Sequence, residues 1–340
     1  MKSLKDIWYS DEYKQLREQY SDRLCFICFG GSYAYGTNIE SSDIDIRGVM
    51  LPTIDELIGL KKFYQKEDSQ SDTVFYEFNK FVKLCMENNP NILEMLYCRD
   101  YIIFNDIGKK LLDVADMFLS KRSYITFNGY AVSQLRRVEN YLAQTEYTQA
   151  EKNKHIKQTM DVAIDKLSQS NELFASGAFK VNLLDDNIYI DCDIKNARID
   201  LVRASFNDLL TIEKTYNKLG QRNNKKDAAH LCKHIMHLFR LILMCCDILK
   251  DHTFETYREH DREYLLSIRN GRYLVNNELT QDFTTDLNSL QSRMEQYNKE
   301  STLRDKCDFN AINDFVTDCN SKIINNTVIK YKEPLYQVNL

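Results

Sequence analysis

The spacing of apolar and polar positions divides the chain into two parts. Leu4, Ile7, Trp8, Tyr13, Leu16 and Tyr20 recur near the 3.6-residue period, which predicts a helix over 4–20. Residues 23–29, Arg-Leu-Cys-Phe-Ile-Cys-Phe, form a compact apolar run that ends in glycines, the pattern of a buried strand. Over 43–51 acidic and apolar residues alternate. Asp43 and Asp45 then fall on one side and Ile44 and Ile46 on the other, as in a strand. Residues 72–77 and 101–104 read as further short strands. Between them Phe78, Phe81, Val82 and Cys85 make a helical stripe. Asn88-Asn89-Pro90 stops that helix, and a second short one follows the proline.

Beyond residue 105 the helical period dominates. It predicts helices over 106–118, 121–145, 151–175, 198–219, 226–250, 257–269, 276–298 and 309–326. The stretch 180–195 reads as a hairpin or an irregular excursion. Residues 218–227, with Arg222, Lys225 and Lys226, read as an exposed basic loop that either touches RNA or is simply solvated. No internal repeat is visible. The expected architecture is α+β: a small mixed sheet with flanking helices in 1–105, then a larger all-α domain in 106–340 that closes one side of a cleft.

Composition narrows the function. Only 3 prolines and 10 glycines punctuate 340 residues, which suits long helices. Gly30, Gly31, Gly36 and Gly48 crowd into one short stretch, where the backbone must do something special. The formal net charge of −5 argues against a partner such as extended duplex DNA, whose binding draws on a basic surplus. A small substrate, a protein or a locally gripped RNA end fits better. The 10 cysteines are irregularly spaced in apolar runs, and no signal segment or run of roughly 20 apolar residues is present. The expectation is free thiols in a cytoplasmic protein with no membrane partner.

The chemistry concentrates in Gly30-Gly31-Ser32-Tyr33-Ala34-Tyr35-Gly36 and Ser41-Ser42-Asp43-Ile44-Asp45-Ile46-Arg47-Gly48. Glycines let the backbone approach a triphosphate, free amides at a helix start favour anions, and the Ser32 hydroxyl adds a donor. Two carboxylates on one side of a strand suit Mg²⁺, which takes a few hard oxygen ligands plus substrate phosphates. Two such ions can clamp an in-line displacement. Arg47 would contact phosphate or pair with an acid. Lys80 and Lys83 would face either the triphosphate or solvent.

This arrangement resembles the DNA polymerase β nucleotidyltransferase superfamily. Within it, the chain is similar to the bacterial and phage family that includes RNA-ligase-associated members. The resemblance rests on G-S-Y-A-Y-G, S-D-I-D-I-R-G-V, Y-E-F-N-K-F, N-N-P-N-I-L-E-M-L-Y, F-N-G-Y-A-V-S-Q-L-R-R, A-A-H-L-C-K-H-I-M-H-L-F-R-L and L-L-S-I-R-N-G, scattered over about residues 23–271. It implies transfer of a nucleoside monophosphate from an NTP to a hydroxyl with release of pyrophosphate. Asp43 and Asp45 would hold two Mg²⁺ (Mn²⁺ being an alternative), with Gly31 and Ser32 on the terminal phosphates. The superfamily takes a third carboxylate from the next core strand. Glu77 is the candidate, with Asp72 and Glu94 as alternatives, and general-base work is a role for that group. Lys233, His237 and Arg240 match positions of a helix that faces the cleft and would hold phosphates. The implied acceptor is an RNA end such as that of tRNA, in RNA repair or host–virus conflict. Alternatives are a protein side chain, as in AMPylating members, or an inactive nucleotide-binding module.

Two other patterns carry less. His230, His234 and His237 share a helical face and could ligate zinc, but no acidic or cysteine partner completes the set. Cys25 and Cys28 lie three apart on a strand, and so point to opposite faces.

Overall fold

The computed structural model describes residues 3–145, 158–222 apart from 159, 163, 166, 170, 185 and 186, and 228–339 apart from 277. By contacts the chain forms two compact units, residues 1–136 with 232–340, and residues 137–231. The first is built on a mixed sheet. The cut at residue 105 expected from the sequence coincides with neither boundary.

The first segment enters through α1 (Leu4–Trp8), whose capping box pairs Ser3 with Asp6, and α2 (Lys14–Tyr20). Strand β1 (Leu24–Phe29) is buried at every position, as its unbroken apolar run requires. After the short helix α3 (Gly31–Tyr35) come β2 (Ile46–Met50), α4 (Ile54–Leu57), β3 (Gln65–Asp68), β4 (Thr73–Glu77), α5 (Phe78–Met86), α6 (Pro90–Leu96), β5 (Asp100–Asn105), α7 (Asp106–Asp113) and α8 (Arg122–Thr145). In the second unit α9 (Glu172–Ala175), β6 (Phe179–Leu184), β7 (Asn187–Cys192) and α10 (Ile199–Arg222) follow. The hairpin reading of 180–195 is met by antiparallel β6 and β7. A cluster of Phe174, Phe179 and Leu209 packs this unit. Most of the helix expected over 151–175, and the basic Lys225 and Lys226, lie outside the described residues.

The chain returns to the first unit with α11 (Ala228–Asp251), α12 (Arg262–Arg269), the paired β8 (Leu274–Val275) and β9 (Glu278–Leu279), α13 (Gln281–Glu300), α14 (Phe309–Ile324) and β10 (Lys330–Val338). The main sheet has the order β10-β5-β1-β2-β4-β3, and β2 and β4 are its one parallel pair. One face packs Phe75 against Trp8 and Tyr20 of the first two helices. The other packs Phe26 against Phe81 of α5. Gly48 sits in the middle with no room for a side chain, because a Cβ there would lie 2.9 Å from Ile27, Phe75 and the Phe26 carbonyl. The fold is thus the expected small mixed sheet amid helices, except that β10 adds a strand no alternation in the sequence announced. All ten cysteines are free, and no helix among the described residues is long and apolar enough to cross a membrane.

Candidate active site

Strand β1 delivers the chain to Gly30, which is extended, and then to Gly31 at φ 54°, a left-handed conformation that favours glycine. A second constraint acts on Gly31, since a Cβ there would overlap Asp45 Oδ2. The turn is therefore shaped around a carboxylate. Gly30 N–H donates to the Asp45 carbonyl at 2.8 Å, and Ser32 is buried just inside α3.

Asp43 and Asp45 lie ahead of β2 rather than inside it. The strand expected over 43–51 begins only at Ile46, which pairs with Phe29, the last residue of β1. Once β1 turns away at the glycines, its ladder continues only through the Gly30–Asp45 bond. Asp43 is exposed, while Asp45 is partly buried.

The third carboxylate is where the structure departs from expectation. Strands β2 and β4 are parallel, with Ile46 opposite Thr73 and Met50 opposite Glu77. The residues just before each strand, Asp45 and Asp72, are consequently neighbours. The Arg47 guanidinium binds both, at 3.0 Å from Asp45 Oδ1, 2.5 Å from the Asp72 carbonyl and 3.4 Å from Asp72 Oδ1. Glu77 stands at the other end of β4. Five residues at a rise of about 3.3 Å put it roughly 16 Å away along the strand. Its buried carboxylate accepts the N–H groups of Asn79 (2.9 Å) and Lys80 (2.7 Å), capping α5. Burial pushes the Glu77 pKa up, against those two bonds. The structure brings Asp72 beside Asp45 and leaves Glu77 as a helix cap.

Burial, reinforced by a hydrogen bond and like charge from Asp72, pushes Asp45 up to about 6, with Arg47 opposing. One Asp45 oxygen is held by Arg47, and the other faces the glycine turn. Among the described residues no group of three or more His, Cys, Asp or Glu side chains is set to hold a metal by itself. The crowded oxygen donors of Asp45 and Asp72 nonetheless fit a hard divalent ion, which completes its shell with phosphate and water.

Helix α11 forms the next part of the unit. Lys233 is exposed, and His237 is partly exposed, with its ring edge-on to Tyr35 at 5.9 Å. The His237 Nδ1 is buried without a hydrogen-bond partner among the described residues. Burial, with Arg240, Lys233, His234 and Arg269 around it, holds the imidazole pKa well below the usual histidine range. Arg240 does not meet the expectation of a cleft-facing cation. It is 3% exposed, ion-paired with Glu94 and stacked 3.5 Å from the Tyr35 ring centroid. Glu94, the other alternative for the third carboxylate, spends both oxygens there. Its Oε1 pairs with Arg240, and its Oε2 accepts from the Tyr35 hydroxyl at 2.7 Å. The helix enters the interior as it runs from Lys233 to Arg240, and there Arg240 is claimed by Glu94 and Tyr35. His234 Nδ1 lies 2.9 Å from Gln134 Oε1, and the histidine row forms no metal group among the described residues.

Two residues that sequence reasoning missed hold the chain ahead of Asp43. Arg262 Nε donates to the Gly36 carbonyl at 2.7 Å, and Arg269 donates to the Thr37 carbonyl at 2.5 Å and to Ser42 Oγ at 3.3 Å. Only the L-L-S-I-R-N-G motif signalled Arg269, and nothing in its local spacing says that it reaches back across most of the chain.

A family model described as "RlaP: RNA repair pathway DNA polymerase beta family" matches residues 8–185. No curated protein and no solved structure matches the chain.

Proposed function

The chain belongs to the RNA repair pathway DNA polymerase beta family, and from that premise we propose that it transfers a nucleoside monophosphate from an NTP to a hydroxyl at an RNA end. The observation that carries this reading is the Asp45 carboxylate lodged against the Gly30-Gly31-Ser32 turn with Asp72 beside it. Asp45 and Asp72, with the exposed Asp43 nearby in sequence, would hold Mg²⁺ or Mn²⁺. When bound, the ions offset phosphate charge and acidify the attacking hydroxyl. Gly31 and Ser32 offer a small-residue surface and a hydroxyl to the terminal phosphates. Arg47 keeps Asp45 and Asp72 together. The acceptor oxygen bonds the α-phosphorus as the bond to the bridging oxygen breaks. The hydroxyl proton passes to a carboxylate of the cluster, and pyrophosphate leaves. The net charge of −5 supports a short, locally held RNA end rather than a long duplex.

The test is incubation with each labelled NTP, Mg²⁺ and RNA bearing a free 3′-hydroxyl, beside a cell lysate. Label on RNA, lost in Asp45→Asn, is the expected result. Label confined to a protein band would replace the acceptor with a protein side chain. No label and no NTP-induced thermal shift would leave only an inactive module and overturn the proposal.

A further inference from the structure

The segment from Gly36 to Ser42 joins the glycine-serine turn to Asp43 and contains no helix or strand. Its internal bonds fold it on itself: Thr37 N–H to the Ser32 carbonyl at 3.0 Å, Ser42 N–H to the Ile39 carbonyl at 2.9 Å, and Ile39 N–H to Ser42 Oγ at 2.9 Å. These bonds shape the loop but do not say where it sits. Contacts from residues 257–269 do. Tyr257 lies so close to Gly36 that a Cβ there would come within 2.6 Å of its ring. Arg262 and Arg269, seven residues apart and so on one face of α12, take the Gly36 and Thr37 carbonyls. Arg269 alone reaches both ends of the loop, because its second nitrogen finds Ser42 Oγ next to Asp43.

Arg269, like Arg262, also differs from Arg240 and Arg258, the most deeply buried arginines of this unit. Arg240 is answered by Glu94, and Arg258 by Asp247 and Asp261. Among the described residues, no carboxylate forms an ion pair with Arg269, and its hydrogen-bond acceptors are neutral. A partly buried guanidinium used only on a carbonyl and a hydroxyl contributes geometry and an uncancelled positive charge at the loop that carries an acid. We propose that Arg269 is the positioning residue for Asp43, clamping the loop at Thr37 and Ser42 so that the Asp43 carboxylate is fixed at the divalent-ion site. This rests on the reading of Asp43 as an ion-holding residue.

Arg269→Gln, Arg269→Lys and the milder Ser42→Ala test it. In Arg269→Gln we expect kcat for nucleotidyl transfer to fall on the order of 10²-fold, the cost of a misplaced group, while KM for the NTP changes little. The Mg²⁺ concentration for half-maximal rate should rise. Lysine, which keeps the charge but lacks the two-nitrogen fork, should recover part of the rate. Ser42→Ala should shift the Mg²⁺ dependence the same way by a smaller factor, and it guards against a variant that fails to fold. Two readings need no turnover. Mn²⁺ binding, followed by loss of the free-ion paramagnetic resonance signal, should weaken in Arg269→Gln and Ser42→Ala. Hydrogen exchange at Ile39 and Ser42 should quicken in both. Weaker ion binding and faster exchange in a chain with no transferase activity would support the clamp and sink the proposed reaction. Unchanged ion binding and loop exchange would overturn the clamp. A raised NTP KM with unaltered Mg²⁺ dependence would also overturn it, by making Arg269 a phosphate contact.

Discussion

Asp45 with Arg47 and Glu94 with Arg240 are both carboxylate–arginine pairs, and they touch opposite ends of helix α3. At Tyr35, the Glu94 pair is buried and both carboxylate oxygens are used, one on the guanidinium and one on a phenol. At Gly31, Asp45 is only partly buried, shares its arginine with Asp72, and keeps an oxygen toward the turn. A carboxylate whose oxygens are all answered holds elements together. A crowded one set against a second acid is costly as an anion, and a cation relieves that cost.

The comparison can be broken by exchanging what each acid does. Asp45→Asn should lower transfer by about 10²–10³-fold or more, as expected when a group that stabilises developing charge is lost. Its Tm at pH 7.5 should not fall, because the raised pKa means that the ionised Asp45 present at that pH costs the folded state stability. A large drop in Tm would make Asp45 structural. Glu94→Ala should do the reverse in stability. Leaving Arg240 buried and unpaired should cost about 3–5 kcal/mol in a denaturant titration, and a loss under about 1 kcal/mol would show that the interior pair is not the support described. Asp72→Asn and Glu77→Ala sharpen the choice of third acid. The first should slow transfer about 10²-fold at unchanged Tm. The second should cost about 0.5–2 kcal/mol of stability, as for a lost helix cap, with activity kept within a few-fold. The opposite pattern would return the role to Glu77.

His237 gives the smallest effect. Its folded pKa lies well below the unfolded value, so the unfolded chain binds the proton more readily as pH falls through about 6.5. Stability should therefore decline with falling pH, by at most about 1.4 kcal/mol per pH unit from this group. His237→Gln should flatten the slope between pH 7 and 5. An unchanged slope would mean that the ring titrates normally.

Much of the site was legible because it is local. The glycines, Ser32, Asp43 and Asp45 lie close together in the chain, and the apolar run of β1 marks the strand that leads into the glycines. The third acid was not legible for a geometric reason. The segment 72–77 reads as a strand with an acid at each end, and only the direction of pairing decides which acid meets Asp45. An antiparallel pairing would bring the Glu77 end there, whereas the parallel one brings Asp72. The resemblance named Lys233, His237 and Arg240 together as positions on one helix, and all three lie on α11. A motif match says nothing of depth, and that row runs from exposed to buried. Strand β10 escaped because it is an edge strand with a proline and no buried position, so burial never imposed an alternation on it.

That same strand has a consequence for how the molecule is made on the ribosome. Strand β5 is synthesised early, after its partner β1, but its outer edge has no partner until Lys330 and its neighbours emerge, long after the segment 137–231. Throughout that interval a nascent chain carries an unpaired apolar edge, Tyr101-Ile102-Ile103, open to strands of other chains. A chain cut short of residue 330 would keep that edge bare, and aggregation would be its expected fate.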